Sequence, residues 1–152
     1  MKTNMAWYFL PLLLIVIAGI YLFIQASQRK WGEVVLLPGE TIIYEQEKTD
    51  LQSARAKNFD TTTKGLFLRA TNKRFFFLLP NKKNIFLILD FTSAQQNTAK
   101  ENIDKAVIHV DRQTMKFTQE NEKNFLQVEG KNFMGVNLQY KFELKEKIRI
   151  EN

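Results

Sequence analysis

The sequence contains no cysteine and only one histidine among its 152 residues. The absence of cysteine excludes disulfides, thiol catalysis and lipid attachment to a cysteine. The lone His109 lies between apolar neighbours, and a zinc site would need several ligands, so we interpret it as a structural or surface residue. Gly-x-Ser-x-Gly, phosphate-loop and calcium-loop patterns are also absent. We therefore predict a protein that is not an enzyme and that holds no metal and no cofactor.

Charge is missing altogether from one long segment near the N-terminus. The 19 residues from Ala6 to Ile24 include no charged side chain. As a helix they would extend roughly 28 Å, close to the ~30 Å hydrocarbon thickness of a bilayer. Tryptophan and tyrosine residues near both ends of the segment are typical of the membrane interface. We predict a transmembrane helix within an anchor region of residues 1–30.

A cleaved signal peptide is the alternative interpretation of this segment. Signal peptides have an apolar core of about 7–15 residues followed by small residues, whereas this core is longer and bulky Ile24 stands at the nearest candidate cleavage site. We favour a retained anchor. Lys2 lies on one side of it, and Arg29 and Lys30 lie on the other, so the positive-inside rule predicts a single-pass protein with a cytoplasmic C-terminal domain.

The remaining residues, 31–152, have the length of one domain. All 16 acidic residues and 21 of the 22 basic ones follow Ile24, so the chain after Ile24 carries five more positive than negative charges. A mild basic excess suits the vicinity of anionic lipid headgroups. It also suits an ordinary soluble surface, and this alternative stays open. We predict no nucleic-acid partner, because no arginine cluster or nucleic-acid motif is present.

The pattern of apolar residues in this domain predicts a mainly β fold. Three apolar segments beginning at Gly65, Arg74 and Asn84 are separated by short polar turns, as in a β-meander. Near the C-terminus, Val136 to Leu144 alternate between apolar and polar residues with a period of two. We count about seven or eight strands, which predicts an antiparallel sandwich or a partly closed barrel. Residues 93–106 are polar and predict a short helix or a loop.

Two short motifs resemble the opening of bacterial pleckstrin-homology-like and GRAM-type domains. The first is Leu37-Pro38-Gly39-Glu40, which leads into a strand. The second is Thr71-Asn72-Lys73-Arg74, which turns into another strand and follows Gly65 and Leu68. The resemblance covers about residues 34–92 and implies a bent sheet or sandwich closed by a C-terminal helix. The sequence departs from the family at its end, where the last twenty residues alternate like a strand.

Two basic turns are the candidate binding residues. Lys73 and Arg74 stand at the start of the apolar segment Arg74–Pro80, and the resemblance implies that such a turn approaches phosphoinositides or other anionic headgroups. Lys82 and Lys83 form a second basic turn at the other end, roughly 20 Å away at about 3.3 Å per residue. We therefore expect a membrane-anchored, non-enzymatic binding or adaptor domain with membrane lipids or a membrane protein as partner. The alternative is a small structural subunit of an envelope or secretion complex.

Overall fold

The computed structural model describes residues 6–55, 59–92, 103, 105–148 and 150. The predicted N-terminal segment forms helix α1, Ala6–Ser27, which has Pro11 in its first turns. Side chains 10–25 of this helix are all exposed. Over the residues whose side chains are described, the chain has no helix with the length and apolarity needed to cross a membrane.

In the described part of the chain, eight strands follow α1, together with two short 3-10 helices, η1 (Trp31–Glu33) and η2 (Arg112–Thr114). The strands are β1 (Ile42–Ala54), β2 (Thr61–Thr71), β3 (Arg74–Leu78), β4 (Ile85–Asp90), β5 (Val107–Val110), β6 (Lys116–Glu120), β7 (Lys123–Lys131) and β8 (Asn137–Leu144).

The strands form one sheet in the order β5-β4-β3-β2-β1-β8-β7-β6. A further pairing between β5 and β7 closes seven of the strands into a barrel and leaves β6 as an extension. All neighbours are antiparallel except β4 and β5. β5 and β6 pair with successive parts of the same edge of β7, so they are two halves of one strand interrupted by η2.

Strand β3 is almost wholly apolar, and the packing on its two faces explains this composition. All five of its residues are buried. Phe75 and Phe77 face the barrel interior, where they pack edge-to-face against Phe142. Phe76 and Leu78 face outward into a second apolar cluster that is covered by Ile103 and by the chain segment after α1. A strand with both faces covered carries the near-continuous apolar run seen in the sequence.

The mainly β prediction is confirmed, including the meander of β2, β3 and β4 and the C-terminal strand β8. The polar stretch from Lys48 to Lys64 predicts a loop, or a strand end followed by a loop. It supplies the second half of β1 and the start of β2. Its polar residues fit a strand because many of them remain exposed. Most of the predicted helix or loop at residues 93–106 lies outside the described residues.

Candidate functional site

The first basic turn is built into the protein rather than presented to solvent. The Arg74 side chain is only 1% exposed and lies in a bidentate ion pair with buried Glu40. Arg74 Nη2 donates to Glu40 Oε2 over 2.6 Å and Nε donates to Oε1 over 2.9 Å. Arg74 Nη2 also donates to the Val35 carbonyl oxygen. The expectation that Arg74 is available to a surface ligand was therefore wrong, because its guanidinium is occupied inside the fold.

Glu40 receives enough hydrogen bonds to remain charged in this buried position. Burial by itself would raise the pKa of Glu40. The hydrogen bonds from the Arg74 guanidinium, the Thr71 hydroxyl and the Leu37 N–H, together with the Arg74 charge, outweigh that effect, and they lower the pKa below its ordinary value. We call Glu40, Thr71 and Arg74 the buried ion network.

The two motifs behind the family resemblance interlock in this network. Gly39 adopts a left-handed backbone with φ of 71°, which lets the first motif turn and bring Glu40 inward. Asn72 of the second motif donates to the Gly39 carbonyl and accepts from the Thr41 N–H. Lys73 Nζ donates to the Pro38 carbonyl. The motif residues thus hold two turns together, and the side chains of Thr71, Asn72, Lys73 and Arg74 all make contacts within the fold.

The second basic turn lies next to the chain where it leaves α1. The Trp31 N–H donates to the Lys83 carbonyl and the Ile85 N–H donates to the Arg29 carbonyl, each over 2.7 Å. Lys30 also forms an isolated antiparallel bridge with Asn84. These contacts fix the exit of the helix against the β3–β4 loop. We call Arg29, Lys30, Lys82 and Lys83 the basic junction.

Trp31 secures the basic junction to the barrel. Its ring packs edge-to-face on buried Phe76, with 4.8 Å between the ring centroids. The Arg69 guanidinium stacks over the same ring at 4.5 Å and pairs with Glu45. These contacts pack Trp31 against the outer face of β3, four residues after the end of α1. In the sequence Trp31 is one of the aromatic residues near the ends of the apolar segment, and no local pattern predicts that it packs against the barrel.

A cleft of about 470 Å³ opens at this junction. Its lining combines Gln28 and the segment Lys30–Glu33 with the loop Asn81–Asn84, and it includes Lys30, Lys82 and Lys83. Lys82 and Lys83 are exposed. Lys82 adopts a positive φ of 58° in the turn, pairs with exposed Glu47, and lies 4.7 Å from the Phe67 ring. The cleft is therefore open, mixed in character and edged by cations.

The structure keeps the two predicted basic turns apart, as their separation along the chain predicts. Arg74 begins β3, and the loop with Lys82 and Lys83 follows its end. What the structure adds is the grouping of Lys82 and Lys83 with Arg29 and Lys30, which are more than fifty positions earlier in the chain. Only the folded chain brings these two basic pairs together.

A second cleft, of about 560 Å³, lies where β5, β7 and β8 meet, and His109 lines it together with Asp111, Glu129 and Lys131. His109 is half-buried. Within the described part of the chain, no group of three or more acidic, histidine or cysteine residues is arranged to hold a metal ion. Asp111 caps η2 by accepting from the Gln113 N–H. Asp111 therefore serves local structure at one wall of this cleft.

Comparison with known proteins found no family model that matches the chain and no curated protein that matches it.

Proposed function

We propose that the protein is a membrane-anchored, non-enzymatic binding domain whose basic junction contacts anionic lipid headgroups. The observation that carries this proposal is the pair of backbone hydrogen bonds that fix Arg29 and Trp31 against the β3–β4 loop. They hold Lys82 and Lys83 beside the end of α1, so a bilayer that receives α1 would meet these lysines at its surface.

The anchor itself rests on the sequence and on the exposure of α1. No charge occurs between Ala6 and Ile24, and the described side chains 10–25 are exposed although most are apolar. A helix that is apolar all round needs an apolar environment. In this proposal the environment is the lipid bilayer, and the domain of residues 31–152 follows it with no long linker.

The charges at the junction support headgroup binding of moderate strength. Each lysine or arginine close to an anionic membrane surface contributes up to about 1 kcal/mol. Glu33 lies in the same cleft and Glu47 pairs with Lys82, so the net attraction is smaller than four cations alone would give. The anchor supplies the high local concentration that makes such weak contacts effective.

A pleckstrin-homology-like relationship of the barrel is a further part of the proposal. Its support is that the two resembling motifs meet through Glu40 and Arg74 and through Gly39 and Asn72. The barrel departs from the resembling domains at its C-terminal end, where those domains have a helix. The described residues after β8, 145–148 and 150, are not helical.

A structural subunit that binds another protein is the second candidate. The observation in its favour is the β7–β8 turn, where Phe133, Met134 and Val136 are exposed. Asn132 orders this turn, because its Oδ1 accepts from the N–H groups of Met134 and Val136. An ordered turn with apolar residues at its tip is suited to contact with a protein partner.

Vesicle binding by the fragment 28–152 tests the headgroup proposal. We expect it to bind vesicles of phosphatidylcholine with phosphatidylglycerol, to lose binding at high salt, and to ignore phosphatidylcholine alone. Replacing Lys82 and Lys83 together by glutamate should abolish the binding. Lys73→Glu is the matched control at the other end of β3 and should bind nearly as the wild type does. Equal loss in both variants, or no binding by the wild type, would reject the junction as the contact.

Orientation in the membrane is a separate question for experiment. A compartment-sensitive reporter fused after Asn152 should report from the cytoplasm if the positive-inside prediction holds. A signal from the outer side would reverse the orientation and would favour an envelope subunit facing outward.

A further inference from the structure

Strand β6 is an edge strand that lies outside the closed barrel. It pairs with β7 on one side, and among the described residues no strand pairs with its other side. Its sequence is Lys116-Phe117-Thr118-Gln119-Glu120, and Phe117 is 50% exposed. An edge strand of this kind offers unpaired N–H and C=O groups to another strand.

The hairpin turn determines which of these backbone groups face outward. Asn121 and Glu122 both have positive φ, as in a two-residue type I′ turn. The flanking pair, Glu120 and Lys123, is then a hydrogen-bonded pair. Because such pairs alternate along an antiparallel ladder, Phe117 and Gln119 direct their N–H and C=O groups toward the free edge.

The free edge is complementary to itself in one register. If two copies of β6 run antiparallel with Thr118 opposite Thr118, Phe117 of each copy pairs with Gln119 of the other. These are the residues with outward backbone groups, so four hydrogen bonds form. In the same register Lys116 of each copy faces Glu120 of the other. Shifting the register by two residues keeps hydrogen-bonded pairs but removes both Lys–Glu pairs.

We propose that β6 binds β6 of a second copy of this chain, which joins two barrels through a continuous sheet. The Glu120 carboxylate has room for this contact, because Lys141 occupies only its Oε1, at 2.7 Å. The contact area of five residues per strand is small, and anchoring both copies in one membrane raises their effective concentration. This dimer does not depend on headgroup binding by the basic junction.

Cysteine cross-linking tests the register directly, because the native chain has no cysteine. In the proposed dimer the two Thr118 residues form a non-hydrogen-bonded pair with about 4.5 Å between their Cα atoms, which is within the range for a disulfide. The full chain carrying Thr118→Cys, oxidised in mild detergent, should form disulfide-linked dimers. Gln119→Cys is the matched control. In the same register the Gln119 residues of the two copies are diagonal neighbours, about 7–8 Å apart.

We expect several-fold more dimer from Thr118→Cys than from Gln119→Cys. Equal amounts of dimer from the two variants, whether high or low, would overturn the proposal. Cross-linking of Thr118→Cys to a different protein would also overturn it, because the occupant would then not be a second copy.

Charge exchange provides a test that does not depend on cysteine. Lys116→Glu and Glu120→Lys each place like charges opposite one another in a homodimer, so each variant alone should be monomeric. Mixing the two variants restores opposite charges at both positions, so the mixture should form dimers by light scattering. A mixture that stays monomeric while the wild type dimerises would contradict the proposed register.

Discussion

The two ends of β3 carry basic residues that look alike in the sequence and differ completely in the structure. At the start of the strand, Arg74 is 1% exposed and bound to Glu40, whose side chain is fully buried. Beyond its end, Lys82 is 49% exposed and bound to Glu47, which is 64% exposed. Hydrogen bonding and charge from Lys82 lower the pKa of Glu47 even in this exposed position. The first pair belongs to the fold, whereas the second is free to exchange its partner.

This difference shows that a basic residue can be judged as a binding candidate only when the burial of its acidic partner is known. Removing water from two charges is costly, so a buried pair must keep its internal hydrogen bonds. An exposed pair is weakened by water and salt, and an anionic ligand can replace its carboxylate. We therefore propose that the buried ion network stabilises the fold and that the basic junction contacts the ligand.

The largest effect is expected from breaking the buried ion network. Arg74→Met leaves the Glu40 carboxylate buried without its cation, and we expect a loss of about 3–5 kcal/mol in the free energy of unfolding. Urea unfolding of the fragment 28–152, followed by circular dichroism, measures it. Replacing both Glu40 and Arg74 by methionine should recover much of the loss, because no charge then stays buried. If Arg74→Met lowered the free energy of unfolding no more than Lys82→Met does, the contrast between the two ends of β3 would be contradicted.

A smaller loss, about 2–3 kcal/mol near neutral pH, is expected for Glu40→Gln, because a neutral amide accepts weaker hydrogen bonds from Arg74. This difference should depend on pH. Because folding lowers the pKa of Glu40, its contribution is complete above the unfolded pKa of about 4.3 and is lost as the pH falls through the folded pKa.

Unfolding of the wild type and Glu40→Gln across acidic pH values measures the dependence on pH. The two stability curves should converge below about pH 4.3. A gap between them that stays constant with pH would show that Glu40 acts through its shape rather than through its charge.

An intermediate effect is expected from Trp31→Ala, which removes the packing of the basic junction against β3. The loss of its edge-to-face contact with Phe76 and of the stacked Arg69 should cost about 1–2 kcal/mol, since the ring is only half-buried. The β3–β4 loop should also lose its fixed position. Vesicle binding should therefore weaken although every lysine is retained, and Trp31→Phe is the control expected to keep most of both properties.

The smallest effect on stability is expected from Lys82→Ala. The pair with Glu47 is exposed, so the unfolding midpoint in urea should not change measurably. Binding to phosphatidylglycerol vesicles should nevertheless fall. A clear loss of stability in this variant, with unchanged vesicle binding, would reverse the roles given to the two ends of β3.

Local pattern predicted much of the fold. The alternation of apolar residues in β8 and the apolar run of β3 follow from burial on one face and on both faces, and both strands form as expected. The closure of the barrel by β5 and β7 could not be predicted in this way, because it pairs segments separated by about twenty positions through only two pairs of residues. The length of the polar half of β1 could not be predicted for a related reason: its pairing with β2 and β8 organises it, rather than any apolar period.

The candidate site was predicted less completely. Lys82 and Lys83 were identified as an exposed turn, and the structure leaves them exposed. The burial of Arg74 was missed because its partner, Glu40, lies 34 positions earlier. A signal was present, since Glu40 and Arg74 are the charged residues that end the two resembling motifs. The role of Trp31 left no comparable signal, because its contact with Phe76 exists only in the folded barrel.

Hydrogen exchange of the full chain in lipid nanodiscs tests the central claim most directly. The comparison is between nanodiscs of phosphatidylcholine alone and nanodiscs that also contain phosphatidylglycerol. We predict slower exchange in the loop 79–84 with the anionic lipid, a reversal of this effect at high salt, and no change in the turn 71–74. Slower exchange at 71–74 with no change at 79–84 would contradict the assignment of ligand contact to the basic junction.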